Sequence, residues 1–388
     1  MTLTTTHTQR YASWHNVVCR ELGSEWAKII NPSEGSAIFA DVPRLDVRFH
    51  ENEGWQWSTY IQYGYAGGRA HIRDLAPRFR KIVHPNKALE TANEPPCANG
   101  GQLTALNAYW LGCMDEADAQ GFPIIIGHIP EGNPAADQGL EGEAARESER
   151  WKLEQMVPAV RACAARGHVL GWHAYWHPYV EGPTGRWHAL GRVAWTIQQF
   201  LAMGVSPALQ VLVSEFGIDG LILNKIEGWR TLSNPDAYRA EIVAAEAFAR
   251  GIEQIVGLCY FDFGWEEPWE TYDHDEGFTR SLIAPLKALG QAPTQPSAPA
   301  PGIDWAKVEA AMGAEAQRHI VPLNAASAFE VAGAAQGLLP ASNEFDVTVD
   351  GVPLRGQAYR EAGQRQWQFI VTAVIGQWDR LHWFRRPN

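Results

Sequence analysis

The sequence lacks the motifs that mark several common classes of site. Its five cysteines, an odd number, include no Cys-x-x-Cys pair, so neither a zinc ribbon nor a disulfide framework is encoded and mostly buried free thiols are expected. It contains no Gly-x-Ser-x-Gly, His-Glu-x-x-His or Walker sequence, which removes the commonest competing hydrolase and nucleotide-binding functions. The acidic stretch "YDHDEGF" (272–278) matches no metal-ligand spacing and predicts a solvated loop. No metal and no cofactor are therefore expected.

A basic surplus and long apolar runs are also missing. Lys and Arg number 32 against 44 Asp and Glu, a net charge of −12, which argues against nucleic acid as a partner. No run approaches the ~18 apolar residues of a membrane helix, and the first residues lack the basic start and apolar stretch of a signal peptide. We therefore expect no membrane partner and synthesis in the cytoplasm, with the cell wall or the extracellular space as possible places of action.

Tryptophan, by contrast, is abundant. The 17 tryptophans cluster with other aromatic residues near apparent strand ends, as in "ENEGWQW", "GWHAYWHPY" and "FGWEEPWETY". An aromatic ring at such a position either stacks on the flat face of a sugar or is buried under a loop, and the sequence leaves both explanations open for each one.

Short apolar runs alternate with amphipathic stretches up to about residue 290. The eight runs predicted as strands are "LTTTH", "WAKIIN", "RLDVRFH", "ALETAN", "PIIIGHI", "VLGWHAYW", "LQVLVSEF" and "IVGLCYFDFGW". Helical patterns between them, several closed by glycine, imply crossover connections and parallel strands. The pattern predicts an α/β fold, a (β/α)8 TIM barrel over residues 1–290. A doubly wound sheet is the alternative, but the glycine-rich turn usual after its first strand is missing.

A second domain follows the barrel. Residues 291–301, "QAPTQPSAPAP", have no apolar periodicity and read as a semi-rigid Pro/Ala-rich linker. Residues 302–388 begin with helical patterns and continue with alternating runs around an Asp-Gly turn, which predicts a small α+β domain ending in an antiparallel sheet. Its aromatic and arginine residues suit a glycan- or cell-wall-binding module, or else they form its own core.

Two predicted strands end on glutamates. Run four leads into "NEPP", where the two prolines must stop a sheet ladder just after Glu94, and run seven ends on "SEF" with Glu215. The C-terminal ends of barrel strands share one face, so both carboxyl groups are expected at one mouth. Glycoside hydrolysis needs such a pair, about 5–5.5 Å apart if configuration is retained.

Four motifs in chain order resemble the clan A glycoside hydrolases, the cellulase-like retaining barrels. They are "NEP" after the fourth strand, "HAY" in the sixth, "SEFG" in the seventh and "FDFGW" in the eighth. The resemblance implies that Glu94 is the general acid/base and Glu215 the nucleophile. It further implies these supporting roles: Asn93 binding the sugar 2-hydroxyl, Tyr175 donating to the nucleophile, His173 lining the site and Trp265 forming a stacking floor.

The match to the clan pattern is incomplete at the early strands. The clan often has an arginine there that touches the nucleophile, and Lys28 and Arg48 are both candidates. Three weaker substrate contacts are expected at the rim: His50 and Trp57, with Trp55 as the alternative to Trp57, and His128 in "GHIPEGNP". Glu131 of the same stretch is a further candidate, although an ordinary polar loop is the preferred explanation of that stretch.

The sequence thus predicts a retaining, endo-acting glycoside hydrolase that cleaves β-glycosidic bonds in a polysaccharide or oligosaccharide. The order of barrel, Pro-rich linker and small aromatic module also resembles phage-type lysins, which favours a bacterial cell-wall glycan. The alternative is a barrel that binds glycans without turnover. The oligomeric state is left open.

Overall fold

The computed structural model describes most of the first 291 residues and four strands near the C-terminus. The described ranges are 2–35, 37–140, 142–177, 185–221, 224–264, 267–291, 344–349, 352–359, 368–374 and 383–385. The chain divides into two compact units, Met1–Ala292 and Pro293–Asn388. The predicted linker, apart from Gln291, and the predicted helices after residue 302 lie outside the described residues.

The first unit is a closed barrel of eight parallel strands in chain order, which confirms the predicted (β/α)8 fold. The strands are β1 Thr4–Thr8, β2 Trp26–Ile30, β3 Arg44–Arg48, β4 Lys87–Glu90, β5 Ile124–Ile129, β6 Val169–Trp176, β7 Gln210–Ile218 and β8 Ile255–Phe263. Closure pairs β1 with β8, with Thr4 opposite Leu258 and His7 opposite Phe261. The C-terminal ends of all eight strands therefore surround one mouth.

Helices alternate with these strands around most of the barrel. They are α1 Ser13–Leu22, α2 Glu53–Thr59, α3 Gly64–Arg80, α4 Gly100–Gln120, α5 Gly142–Arg166, α6 Gly185–Ala202, α7 Trp229–Leu232, α8 Pro235–Ala249 and α9 Glu276–Gln291. Between β2 and β3 the described residues contain no helix. No helix in the described part of the chain is long and apolar enough to span a membrane.

Helix α4 fixes the loop that follows β4. The Asn99 side chain accepts a hydrogen bond from the backbone N–H of Gln102, whose own side chain accepts from the N–H of Asn99, which forms a capping box at the helix start. Gly121, with φ of 77°, ends the helix in a left-handed conformation. The helix also packs closely on α3: a Cβ at Gly68 would lie 2.0 Å from the Tyr109 carbonyl oxygen. This close packing fixes the middle of α4 against α3.

The barrel interior has two chemically distinct layers. Near the N-terminal ends of the strands it is filled by one apolar cluster, formed by Trp26, Ala88, Ile125, Val169, Leu212 and Cys259. Nearer the mouth lies a second layer that contains these buried ionisable side chains: His7, Lys28, Asp46, Arg48, Glu90, His128, His173 and Glu215. All five cysteines are buried and free, as predicted.

The second unit contains an antiparallel sheet. Its strands are β9 Glu344–Val349, β10 Val352–Tyr359, β11 Gln368–Val374 and β12 Trp383–Arg385, in the order β12-β11-β10-β9. Strands β9 and β10 form a hairpin in which Val349 is opposite Val352, at the predicted Asp-Gly turn.

Candidate active site

Glu94 and Glu215 come together at the mouth of the barrel. Glu215 lies within β7, whereas β4 ends at Glu90 and Glu94 follows it in the loop, with φ of 40°. The Glu94 backbone N–H donates to the carbonyl oxygen of His128, 3.2 Å away. One carboxylate oxygen of each glutamate and one nitrogen of His173 all lie within 4.8 Å of one another. The two carboxyl groups therefore face the same small space.

Glu215 lies in a buried, cationic environment. Its Oε1 is 2.7 Å from Nη1 of Arg48 and 3.4 Å from Nζ of Lys28, so both candidates from the early strands contact it. Burial would raise the pKa of Glu215, but the neighbouring His173, Lys28, His7 and Arg48 hold it well below the usual value. Glu215 is thus ionised near neutral pH.

The lysine and arginine, rather than His7, supply the positive charge. His7 Nδ1 is 3.7 Å from Glu215 Oε1, but burial and the nearby Lys28 keep the pKa of His7 well below its ordinary value. The imidazole is therefore neutral near pH 7. Lys28 stays charged because Glu90 and Glu215 outweigh its burial and raise its pKa.

Tyr175 donates a hydrogen bond to the second oxygen of Glu215. The distance from Tyr175 Oη to Glu215 Oε2 is 2.8 Å. Burial, with the charges of Glu215 and Asp219, raises the pKa of Tyr175 well above its ordinary value, so the phenol keeps its proton. Arg48 and Tyr175 together fix the two oxygens of Glu215 from two different strands, β3 and β6.

Glu94 lies in a more open environment than Glu215. Its side chain is 35% exposed, against 8% for Glu215. His173 joins the two, because its Nδ1 lies 2.9 Å from Glu94 Oε1 and 3.5 Å from Glu215 Oε2. Asn93 lies beside Glu94, and its Nδ2 donates to Oε1 of Glu53 at 2.9 Å. One carboxyl group is therefore open to solvent and substrate, and the other is enclosed by cations.

His128 does not lie on the rim, contrary to the expectation that it contacts substrate. It is 0% exposed, with φ of 51°, and its Nε2 donates to the Ile125 carbonyl oxygen at 3.2 Å. Its Nδ1 lies 3.0 Å from Ser214 Oγ, and because burial lowers its pKa to about 3, the neutral ring accepts that hydroxyl proton. An irregularity near the end of β5, where the pairing with β6 shifts register between Gly127 and Ile129, turns this side chain inward.

The other predicted rim residues differ in position. His50 is exposed just after β3, and Trp57 on α2 is partly buried against the hydrophobic core, whereas Trp55 is 44% exposed. Glu131 lies inside the site region, since its Oε2 accepts from the Tyr175 backbone N–H at 3.0 Å. Trp265, predicted as the stacking floor, lies outside the described residues.

The stretch "YDHDEGF" is not the fully solvated loop that was predicted. Tyr272 and His274 are buried, and only the acidic side chains reach the surface, where Asp275 pairs with Arg230 at 2.7 Å. The prediction rested on the acidic residues of this stretch, but its buried aromatic rings determine the local structure. Phe261, Tyr175 and Tyr272 form a cluster, with Trp269 partly buried against it.

Several site residues were not predicted from the sequence. Asp46 and Glu90 are buried in β3 and β4 beneath Glu215, and Glu53 reaches Asn93 from the start of α2. Asp219 follows β7 and accepts a hydrogen bond from the Tyr272 hydroxyl. The buried positions of Asp46 and Glu90 could have been predicted, because an acidic residue inside the short apolar runs "RLDVR" and "KALE" needs a buried partner.

Glu94, His173 and Glu215 offer three ligand atoms to a cation, and among the described residues they form the one group of this kind. The chemistry of the surroundings opposes such an ion. Arg48 and Lys28 already bind Glu215, and their charges repel a divalent cation. The site fits a neutral ligand that exchanges protons with carboxyl groups.

Comparison with known proteins yields structural neighbours only. No family model matches the chain, and no curated protein does. The broad-specificity endoglucanase of Clostridium acetobutylicum, from glycoside hydrolase family 5 subfamily 4, is 12% identical over 74% of this chain and 99% of its own, with a TM-score of 0.47. The endo-β-1,3-glucanase of Amycolatopsis mediterranei, from family 128 subgroup I and solved with laminaritriose, is 12% identical over 74% of this chain and 100% of its own, with a TM-score of 0.43.

A third neighbour is larger than this protein. The tri-modular endo-β-1,4-glucanase B of Bacillus halodurans is 12% identical over 72% of this chain, with a TM-score of 0.43, and the match spans 56% of that enzyme. At such identities and TM-scores the likenesses carry no argument about chemistry. The barrel is established by its own strand pairing, and the function must be argued from the site.

Proposed function

We propose that the first unit is an endo-acting glycoside hydrolase that cleaves β-glycosidic bonds with retention of configuration. The observation that carries the proposal is the pair of Glu94 and Glu215, whose oxygens lie within 4.8 Å in opposite environments. Retaining enzymes hold their two carboxyl groups ~5–5.5 Å apart, whereas inverting enzymes leave ~6.5–9.5 Å for a water molecule. The close approach of the oxygens supports the retaining arrangement.

The surroundings of the two groups suit two different roles. Glu215, ionised by Arg48 and Lys28, attacks the anomeric carbon as Glu94 donates its proton to the departing oxygen. The bond to the leaving sugar breaks as an ester to Glu215 forms. Glu94, now a carboxylate, then takes a proton from a water molecule whose oxygen attacks the same carbon and releases Glu215. Each residue returns to its starting state.

Free hydrogen-bonding atoms near the pair suit a sugar. Oδ1 of Asn93 is buried and accepts no hydrogen bond from any described residue, so it is open to a sugar 2-hydroxyl. Nε2 of His173 is also without a partner in the described part of the chain. Tyr175, Phe261 and Tyr272 are buried and pack edge to face, which holds the Tyr175 phenol in place. Trp269, partly buried against them, is the ring of this cluster that is open to a sugar face.

The finer part of the proposal is the substrate, a complex polymer such as a bacterial cell-wall glycan. Its support is the sequence beyond the barrel. The Pro/Ala-rich stretch 291–301 leads to a unit whose final strands include Phe369, Trp383 and Phe384, with Arg385 beside them. Aromatic and guanidinium groups together suit sugars and anionic wall polymers.

A release assay tests the function. The purified chain is incubated with β-1,4-glucan, β-1,3-glucan, β-mannan and peptidoglycan, products are identified by mass spectrometry, and the anomer formed first is read by proton NMR. Glu215→Ala is expected to lower turnover about a thousandfold or more. Glu94→Gln is expected to lose less on substrates with good leaving groups, which need little protonation. Glu154→Gln, on the exposed surface of α5, is the control.

The outcomes separate the alternatives. Equal losses for Glu94→Gln on all substrates would contradict the assigned acid role. Initial formation of the inverted anomer would contradict the retaining mechanism. Binding of a polymer by the wild-type chain without any product would favour a glycan-binding barrel over an enzyme.

A further inference from the structure

A buried group of four ionisable side chains lies directly beneath Glu215. We call it the core ion cluster, and its members are Lys28, Asp46, Arg48 and Glu90. Lys28 Nζ lies 2.9 Å from Glu90 Oε2 and 3.4 Å from Glu215 Oε1. Arg48 likewise has two partners, Glu215 at 2.7 Å from Nη1 and Glu90 at 3.7 Å from Nε. Each cation is therefore shared between the proposed nucleophile and Glu90.

The cluster is closed to solvent, so its charges must balance. The side chains of Lys28 and Glu90 are 0% exposed and that of Arg48 is 8% exposed. A buried charge without a partner costs several kcal/mol, about 3–5 when one member of a pair is removed. Two cations and the two anions Glu90 and Glu215 satisfy this condition, provided that Asp46 carries no charge.

Asp46 is held as the neutral acid. Burial and the adjacent charge of Glu90 raise the pKa of Asp46 well above its ordinary value. For Glu90, burial is outweighed by His128, Lys28 and Arg48, which lower its pKa to about 2. Neither oxygen of Asp46 accepts a hydrogen bond from any described residue, so no hydrogen bond there stabilises its ionised form.

The groups named below that face Glu90 and Glu215 come from five strands. Around Glu90 they are Lys28 from β2, Asp46 and Arg48 from β3, and His128 from β5. Around Glu215 they are His7 from β1, Lys28, Arg48, and His173 and Tyr175 from β6. His7 and His128 are neutral near pH 7, so the lysine and the arginine are the cations to be divided.

We propose that Glu90 is a positioning residue for the reaction proposed above: it holds Lys28 and Arg48 jointly with Glu215, so that the nucleophile is kept ionised and oriented without being fully neutralised. A nucleophile paired with two cations of its own is stabilised in the ground state and loses reactivity. A nucleophile with fewer cations takes up a proton too readily. Glu90 sets the balance between these two extremes, and the inference rests on the assignment of Glu215 as nucleophile.

Charge-changing variants of the cluster test this inference. Lys28→Met removes one positive charge and is expected to move the acidic limb of the pH–kcat profile up by about one pH unit. Glu90→Gln removes one negative charge, so the limb is expected to move down and kcat at the optimum to fall about tenfold with little change in KM. In the double variant Lys28→Met/Glu90→Gln the net charge is restored, and the limb is expected to return to within a few tenths of a unit of wild type.

Two further variants separate electrostatics from packing. Asp46→Asn replaces a neutral acid by a neutral amide, so the acidic limb is expected to stay in place. Glu246→Gln is the matched control for a buried glutamate, because Glu246 is 0% exposed but binds the backbone of Leu3 and Thr4 at the start of β1. It is expected to lower the melting temperature without moving the limb.

A measurement without substrate keeps the inference separate from the proposed function. Carbon-13 NMR of labelled glutamate carboxyl groups follows Glu215 directly, with Glu215→Gln as the assignment. The Glu215 titration is expected to move up in Lys28→Met and back in the double variant, even if no glycan is cleaved. Folded variants in which both single substitutions shift it the same way, or in which the double variant shows no return, would overturn the inference. A limb that moves in Asp46→Asn would contradict the neutral state of Asp46.

Discussion

Tyr175 offers a test at the scale of one hydrogen bond. Tyr175→Phe removes the 2.8 Å bond to Glu215 Oε2 and keeps the ring in its aromatic cluster. A hydrogen bond to a charged group contributes ~1.5–3 kcal/mol, so kcat is expected to fall about ten- to a hundredfold. The measurement is steady-state kinetics beside a control, Tyr63→Phe, whose ring is 63% exposed. A kcat equal to wild type would show that the phenol is dispensable.

Asp262 gives a pH prediction. Burial, with smaller contributions from Asp273 and Glu215, raises its pKa from 3.8 to about 8. Between these two values the folded protein holds one proton more than the unfolded chain, so this group lowers stability as pH rises from about 4 to about 8, and the loss is constant above that. Asp262→Asn removes the effect.

The variant is therefore expected to gain stability over wild type as pH rises, by up to ~1.4 kcal/mol per pH unit. Urea unfolding at pH 5 and pH 8 measures the difference, and Glu154→Gln is the exposed control. A gain that is the same at both pH values would mean that Asp262 is already ionised in the folded state.

The position of a site residue could be predicted from the sequence where it depends on the end of a strand. The approach of Glu94 and Glu215 was predictable because the prolines and apolar runs place both near the C-terminal ends of their strands, although β4 already ends at Glu90 and β7 continues to Ile218. His128 was misplaced, because nothing in "IIIGHIP" reveals that the chain turns the imidazole inward. The turn depends on Gly171 in β6, where a Cβ would lie 2.5 Å from His128 Cε1. The space that the His128 ring occupies is left by β6, a strand distant in sequence, so the residues around His128 do not reveal it.

Gly171 leads to a prediction about the pairing of β5 with β6. Gly171→Ala forces the His128 ring away from Glu90 and Ser214, and such overpacking costs ~1–3 kcal/mol. Gly191→Ala is a matched control on α6, where an added Cβ meets nothing within 4 Å and helix propensity favours alanine by ~0.5–1 kcal/mol. Chemical denaturation should show the two substitutions shifting stability in opposite directions. Equal, small effects would mean that the His128 ring can move aside without loss of stability.

At the scale of elements, the eight strands and the alternation with helices were predicted. Helix α3 is harder to recognise in the sequence, because Gly64, Gly67 and Gly68 weaken a helical pattern. In the fold these glycines are needed, since a Cβ at Gly67 would lie 1.8 Å from the Tyr60 carbonyl oxygen. Tertiary packing overrides local propensity there. Conversely, the region between β2 and β3 was expected to follow the alternation, and its described residues form no helix.

For the whole molecule, charge is distributed unevenly along the chain. Residues 302–388 carry eight Lys and Arg against nine Asp and Glu, so almost all of the net charge of −12 belongs to the preceding residues. An acidic barrel is repelled by anionic polymers, whereas a nearly neutral unit with arginines is not. If the substrate is an anionic wall polymer, the second unit is therefore the part of the chain suited to hold it.

Truncation of the chain tests this division of labour. A chain ending at Gln291, the last residue of α9, keeps the complete barrel and is expected to retain its kcat on short soluble oligosaccharides. Its binding to insoluble polymer is expected to fall at least tenfold in a co-sedimentation assay, because the aromatic and arginine residues of the second unit are gone. Equal binding by the truncated and full-length chains would make the second unit structural. Failure of the truncated chain to fold would mean that the two units share a core, and the predicted linker would then be wrong.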